Sequence, residues 1–67
     1  MYRLRIREEA EKRGYDQSKL SRATDISLVT IRKIWHNPSY EINIVTLHKI
    51  AQTFGVRTSD LIEDVPE

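Results

Sequence analysis

Gln17-Ser18-Lys19-Leu20-Ser21-Arg22-Ala23-Thr24-Asp25-Ile26-Ser27-Leu28-Val29-Thr30-Ile31-Arg32-Lys33-Ile34-Trp35 contains two short helical patterns separated by a break at Asp25-Ile26. Asp16, immediately before it, can cap a helix over Gln17–Thr24, because its side-chain oxygen can accept from a first-turn N–H that has no partner within the helix. Leu20 turns inward on that helix, with Ala23 and Thr24 as further inward candidates. Ser27 can cap a second helix that reaches Trp35, with Ile31, Ile34 and Trp35 at core spacing. A short helix, a tight connection and a second capped helix make a helix-turn-helix.

Upstream, a helix is expected from about Ile6 to Arg13, with Ile6 and Ala10 on one face and Gly14 as its stop. Tyr2, Leu4 and Ile6 alternate with Arg3, Arg5 and Arg7. That period of two fits an extended arm or edge strand, and an earlier helix start fits equally. Downstream, Asn37-Pro38-Ser39 ends the Ser27–Trp35 helix, since the residue before proline is pushed out of the helical region. Asn43 can cap a further helix through Phe54, in which Leu47, Ile50, Ala51 and Phe54 recur at i, i+3, i+4 and i+7. Gly55 follows as its C′ residue. A last turn is expected with Thr58 or Ser59 as cap and Leu61 and Ile62 as apolar anchors. No strand-like hairpin pair is evident. The fold class is therefore all-α, a compact bundle of four to five helices. Residues 1–67 form one domain, with 1–5 as an arm, 6–62 as the helical core and 63–67 as a tail.

With 67 residues and no cysteine, the chain has neither a disulfide framework nor a thiolate metal site. The two histidines, His36 and His48, cannot bind zinc alone, so no metal or cofactor is expected. No apolar run reaches membrane-span length and the N-terminus lacks a signal-peptide stretch, which makes a soluble, cytoplasmic protein the default. The net charge of +1 hides an asymmetry: residues 1–36 carry nine Lys/Arg against five Asp/Glu, and residues 37–67 carry two against five. The first half has the sign that a phosphate backbone needs.

The stretch Gln17–Ile34 resembles the helix-turn-helix of the phage lambda repressor and Cro family, also called XRE-like. The pattern is met by Gln17, Leu20-Ser21, Asp25, Ile26-Ser27, the variable segment Leu28–Thr30, Ile31 and Ile34. Thr46–Val56 is similar to the family's fourth helix, and Asp60-Leu61-Ile62 to its ending, so the resemblance spans roughly residues 6–62. Ser21 replaces the usual alanine, and both are small enough for close helix crossing. Asp25 replaces the common turn glycine, and aspartate tolerates left-handed backbone better than most residues. Trp35 is larger than the usual residue and is expected to pack against the first helix beside Ala10.

In this geometry the start of the Ser27–Trp35 helix faces base edges in the major groove. Leu28, Val29, Arg32 and Lys33 remain on its outer face as candidate base contacts. Arg32 suits guanine, Leu28 and Val29 suit thymine methyl groups, and Lys33 reaches a base or a phosphate. For Arg32 and Lys33 the plain alternative is a solvated face; for Leu28 and Val29 it is burial in the core. The resemblance implies phosphate contacts at Gln17, Ser27, Thr30, Asn37, Tyr40 and Asn43, with Ser39 in the same loop. Ser27 is first a cap, and partial burial of the Tyr40 ring is an equal alternative. Arg5 and Arg7 are weaker candidates. No nucleophile motif, Gly-rich phosphate loop or evident pocket supports an enzyme. Two functions follow. One is a sequence-specific transcriptional regulator that binds double-stranded DNA as a weak or DNA-assisted homodimer, with Leu61, Ile62 and Val65 as interface candidates. The other is a protein-interaction module, of antitoxin type for example, that keeps the fold.

Overall fold

A computed structural model describes residues 2–66; the arm and tail expectations at positions 1 and 67 lie outside them. Strand β1 (Tyr2–Leu4) is followed by helices α1 (Ile6–Lys12), α2 (Gln17–Thr24), α3 (Leu28–His36) and α4 (Ile44–Phe54). A 3-10 turn, Thr58–Leu61, then leads into strand β2 (Ile62–Asp64).

The helix boundaries follow from their caps. Asp16 accepts from Lys19 N at 2.8 Å, Ser27 from Thr30 N at 3.2 Å and Asn43 from Val45 N at 2.8 Å. Each satisfies one of the N–H groups that a helix start leaves without a partner. At the other ends, α1, α2 and α4 all pass through a left-handed residue: Gly14, Asp25 and Gly55. After α1, Tyr15 N returns to Ala10 O and Gly14 N to Glu11 O, a complete Schellman motif.

The core is one cluster. Leu4, Ile6, Ala10, Leu20, Ile31, Ile34, Trp35, Leu47, Ile50, Ala51, Phe54 and Leu61 are buried in it, with Tyr2, Tyr15, Ile26, Tyr40, Ile42 and Val56 packed around them. The i, i+3, i+4, i+7 pattern of α4 is buried as expected, and so are Ile31, Ile34 and Trp35. Trp35 and Ala10 both lie in this cluster, where α1 packs on α3. On α2, Thr24 is buried but Ala23 is exposed, so the inward face there is narrower than the composition suggests.

Two features differ from an all-α bundle. First, the chain's two ends pair as an antiparallel ribbon, with Tyr2 opposite Asp64, Arg3 opposite Glu63 and Leu4 opposite Ile62. The alternation Tyr2–Leu4 is therefore a strand. Its partner was illegible as a hairpin because the two strands are far apart in sequence. Second, neither Thr58 nor Ser59 caps the last turn. Both lie inside it, and the Asp60 carboxylate reaches back to accept from Arg57 N at 3.0 Å. Leu61 anchors the turn in the core, whereas Ile62 is 37% exposed.

The ribbon also holds the loop that follows α3. Leu4 N donates to Pro38 O at 2.7 Å, and the Tyr2 hydroxyl donates to Tyr40 O at 2.6 Å and Ser39 O at 3.2 Å. Arg5 N donates to Leu61 O at 2.8 Å, which completes the junction.

Candidate nucleic-acid interface

The turn between α2 and α3 is fixed by three local interactions. Asp25 adopts φ 58°, ψ 31°, a conformation costly for most L-residues but reachable for aspartate. The Ser21 hydroxyl donates to the Ile26 carbonyl, and Thr24 Oγ1 donates to Leu20 O at 2.7 Å within the buried face. A serine at position 21 thus does more than substitute for a small residue, because it ties α2 to the far side of the turn.

Ile31, Ile34 and Trp35 occupy the inner face of α3, which leaves Val29, Arg32 and Lys33 exposed, as their spacing requires. Val29 is 60% exposed, an apolar side chain at a helix start with nothing over it. Leu28 is half-buried, since it turns toward α2 and lines a shallow open depression with Ser18, Ser21 and Arg22. Thr30 is half-buried, and its hydroxyl accepts from Ser27 Oγ at 3.2 Å.

The expected backbone-contacting residues fall into two groups. Ser27 and Asn43 are exposed, and their side-chain oxygens already cap helices. Asn37 Oδ1 accepts from Ser39 N at 3.1 Å and shapes the loop after α3, while the Asn37 carbonyl accepts from Tyr40 N at 3.0 Å. The Tyr40 ring is half-buried against the core. Gln17, half-buried at the start of α2, has its amide nitrogen 3.4 Å from His36 Nε2 at the end of α3. His36, the last residue of α3, is thereby brought to the start of α2, a meeting that the register of neither helix reveals.

Charge pairing separates the cations sharply. Arg3 pairs with Glu8 and Glu63, Arg5 with Glu9, Arg7 with Glu11, and both Lys12 and Arg13 with Glu9. Glu9 is buried, and its hydrogen bonds from Lys12 and then Arg13 hold its carboxyl below the usual carboxylate range. Among the described residues, Lys19, Arg22, Arg32 and Lys33 have no carboxylate within 4.0 Å. The positive charge of the first half is therefore largely matched on β1 and α1 and left open on α2 and α3. Arg5 and Arg7 belong to the matched set.

No group of three or more His, Asp or Glu side chains that could hold a metal is found among the described residues, and no helix of the described chain is long and apolar enough to cross a membrane. Compared with known families, residues 5–67 match the Cro/C1-type HTH DNA-binding domain. No curated protein matches the chain significantly.

Proposed function

Because the chain belongs to the Cro/C1-type helix-turn-helix DNA-binding family, we propose that it is a sequence-specific transcriptional regulator that lays α3 in the major groove of double-stranded DNA. The observation that carries this reading is the unmatched charge of α2 and α3: Arg32 and Lys33 stand exposed beside the uncovered Val29, with no carboxylate of the described residues within 4.0 Å. In this docking Arg32 donates two hydrogen bonds to a guanine edge, Lys33 serves a base or phosphate, and Leu28 and Val29 meet thymine methyl groups. Gln17, Ser27, Thr30, Asn37, Tyr40 and Asn43 hold the phosphates on either side. Ser27 and Asn43 do so as caps, since a capped helix start presents further N–H groups to an anion. Lys19 and Arg22, open on α2, add to the phosphate attraction. The role is one of binding, not catalysis.

A weak or DNA-assisted homodimer fits paired half-sites about one helical turn apart. Leu61 is fully buried and leaves the set of interface candidates. Ile62 stays, and lines a groove with Ile44, itself 66% exposed.

Selection of bound duplexes from a random pool tests the whole reading, and the recovered sequences give the half-site spacing. On the selected duplex, Arg32→Ala is expected to weaken binding by about 1–3 kcal/mol and relax the preference at one base pair. Gln17→Ala is expected to weaken all sequences alike and to leave the dependence of log K on log salt unchanged, since a neutral amide displaces no counterion. Unchanged binding in both variants would sink the docking. The exposure of Val29 also favours a second reading, a protein-interaction module on the same fold. Failure of every duplex to bind at low salt would select it.

A further inference from the structure

We infer that Tyr2 is a positioning residue for DNA binding: from strand β1 its hydroxyl fixes the loop behind α3, so that the Tyr40 side chain is held at a backbone phosphate. The inference rests on the DNA-binding reading above and on Tyr40 as one of its phosphate contacts. The loop, residues 37–43, joins the end of α3 to the Asn43 cap of α4 without a helix or strand of its own. Inside it, Ser39 N and Tyr40 N both donate to Asn37, at 3.1 and 3.0 Å, and these bonds secure only its first turn.

Apart from the packing of Tyr40 and Ile42 on the core, what ties the loop to the rest of the molecule is β1. Three consecutive carbonyls, those of Pro38, Ser39 and Tyr40, accept from that strand. Pro38 O takes the Leu4 N–H at 2.7 Å, a main-chain bond that any residue but proline could supply. The other two share the Tyr2 hydroxyl, and a phenol has a single proton to give, so Tyr40 O at 2.6 Å is the principal acceptor and Ser39 O at 3.2 Å the lesser. The Tyr2 ring is half-buried at the edge of the core, beside Ile42 and Ile44, where phenylalanine would fill the same space. The hydroxyl itself bonds only to this loop among the described residues.

Tyr40 is thus gripped twice, at its carbonyl by Tyr2 and at its half-buried ring by the core. Its backbone is set before DNA arrives, so the entropy of ordering this segment is met on folding and not on binding. Without the Tyr2 hydroxyl, water can reach the two carbonyls and satisfy them, but it does not tether the loop to β1. Affinity then falls through the phosphate contact. Base preference does not, because α3 is seated by Ile31, Ile34 and Trp35 and none of its side chains bonds to Tyr2.

The test is a double-mutant cycle read by fluorescence anisotropy on the selected duplex, at a temperature where circular dichroism shows every variant folded. Tyr2→Phe is expected to weaken binding roughly three- to tenfold, the ordinary worth of one hydrogen bond, with the order of preference among duplexes unchanged. Tyr40→Phe is expected to cost a similar factor in the unaltered protein but about twofold or less in the Tyr2→Phe background, since a contact no longer positioned has little left to lose. Gln17→Ala, on α2 and away from the loop, is expected to cost the same factor in both backgrounds. Unchanged affinity in Tyr2→Phe, or in Tyr40→Phe, overturns the inference alone. So does a Tyr2→Phe loss that leaves the Tyr40→Phe factor at full size, or that shrinks the Gln17→Ala factor with it, because a general loosening of the fold would act in those ways. Absence of binding by the unaltered protein to any duplex overturns the DNA reading, and this inference with it.

Discussion

Asp25 carries the sharpest backbone demand at the level of single residues. It holds a left-handed conformation where the ends of α1 and α4 use Gly14 and Gly55. Asp25→Gly is expected to raise stability by about 0.5–1 kcal/mol in urea titration, part of the relief being offset by the freer unfolded chain. The same change removes the acid that sits between α2 and α3. Other residue roles were readable to different depths. Helical spacing alone assigns Arg32 and Lys33 to solvent and Ile31, Ile34 and Trp35 to the core, because both faces of a 3.6-residue period are fixed once one is known. It does not fix Leu28, whose half-burial depends on how closely α2 crosses behind it. Nor does it reveal that Gln17 and His36 meet, since that contact needs the crossing of the two helices and not the register of either.

Among the elements, α1 is the one whose stability should respond most to acid. Three cations, Arg5, Lys12 and Arg13, converge on the Glu9 carboxylate, with Lys12 and Arg13 at 3.1 Å. A carboxyl whose folded pKa is depressed stabilises the fold fully above its unfolded value, ordinarily about 4.3, and this support is lost as pH falls through the folded value. Unfolding midpoints are accordingly expected to drop from pH 5 toward pH 3, and Glu9→Gln to lower the midpoint at pH 7 while shrinking that drop. A drop of equal size in Glu9→Gln would place the acid-sensitive group elsewhere. The sequence disclosed the helix starts well, because Asp16, Ser27 and Asn43 each bring an acceptor to a defined backbone donor. It misjudged the last turn, where Thr58, Ser59 and Asp60 all offer oxygens and only the folded geometry selects Asp60.

For the molecule as a whole, the ribbon is what a helix-by-helix reading omits. A period of two in Tyr2–Leu4 was visible, but a strand pairs with a partner and β2 carries no buried alternation of its own. Leu4 is nevertheless part of the core, buried to 3% exposure. Leu4→Ala is expected to cost about 2–4 kcal/mol in thermal or urea unfolding. That is a large share of what one small core supplies, so the variant should sit near its unfolding threshold at 37 °C. An unaltered midpoint would mean that the ribbon contributes nothing to the packed state. The paired positions are 58 to 62 residues apart, so nearly the entire chain is the loop that their pairing closes. Such a closure is entropically unfavourable until the helices have already condensed, which makes the ribbon late to zip and early to fray. Fraying of β1 releases the Pro38, Ser39 and Tyr40 carbonyls. Deuterium uptake at the Leu4 amide therefore reports the order of the loop behind α3, and the kinetics of the two chain ends set how long that loop holds its shape.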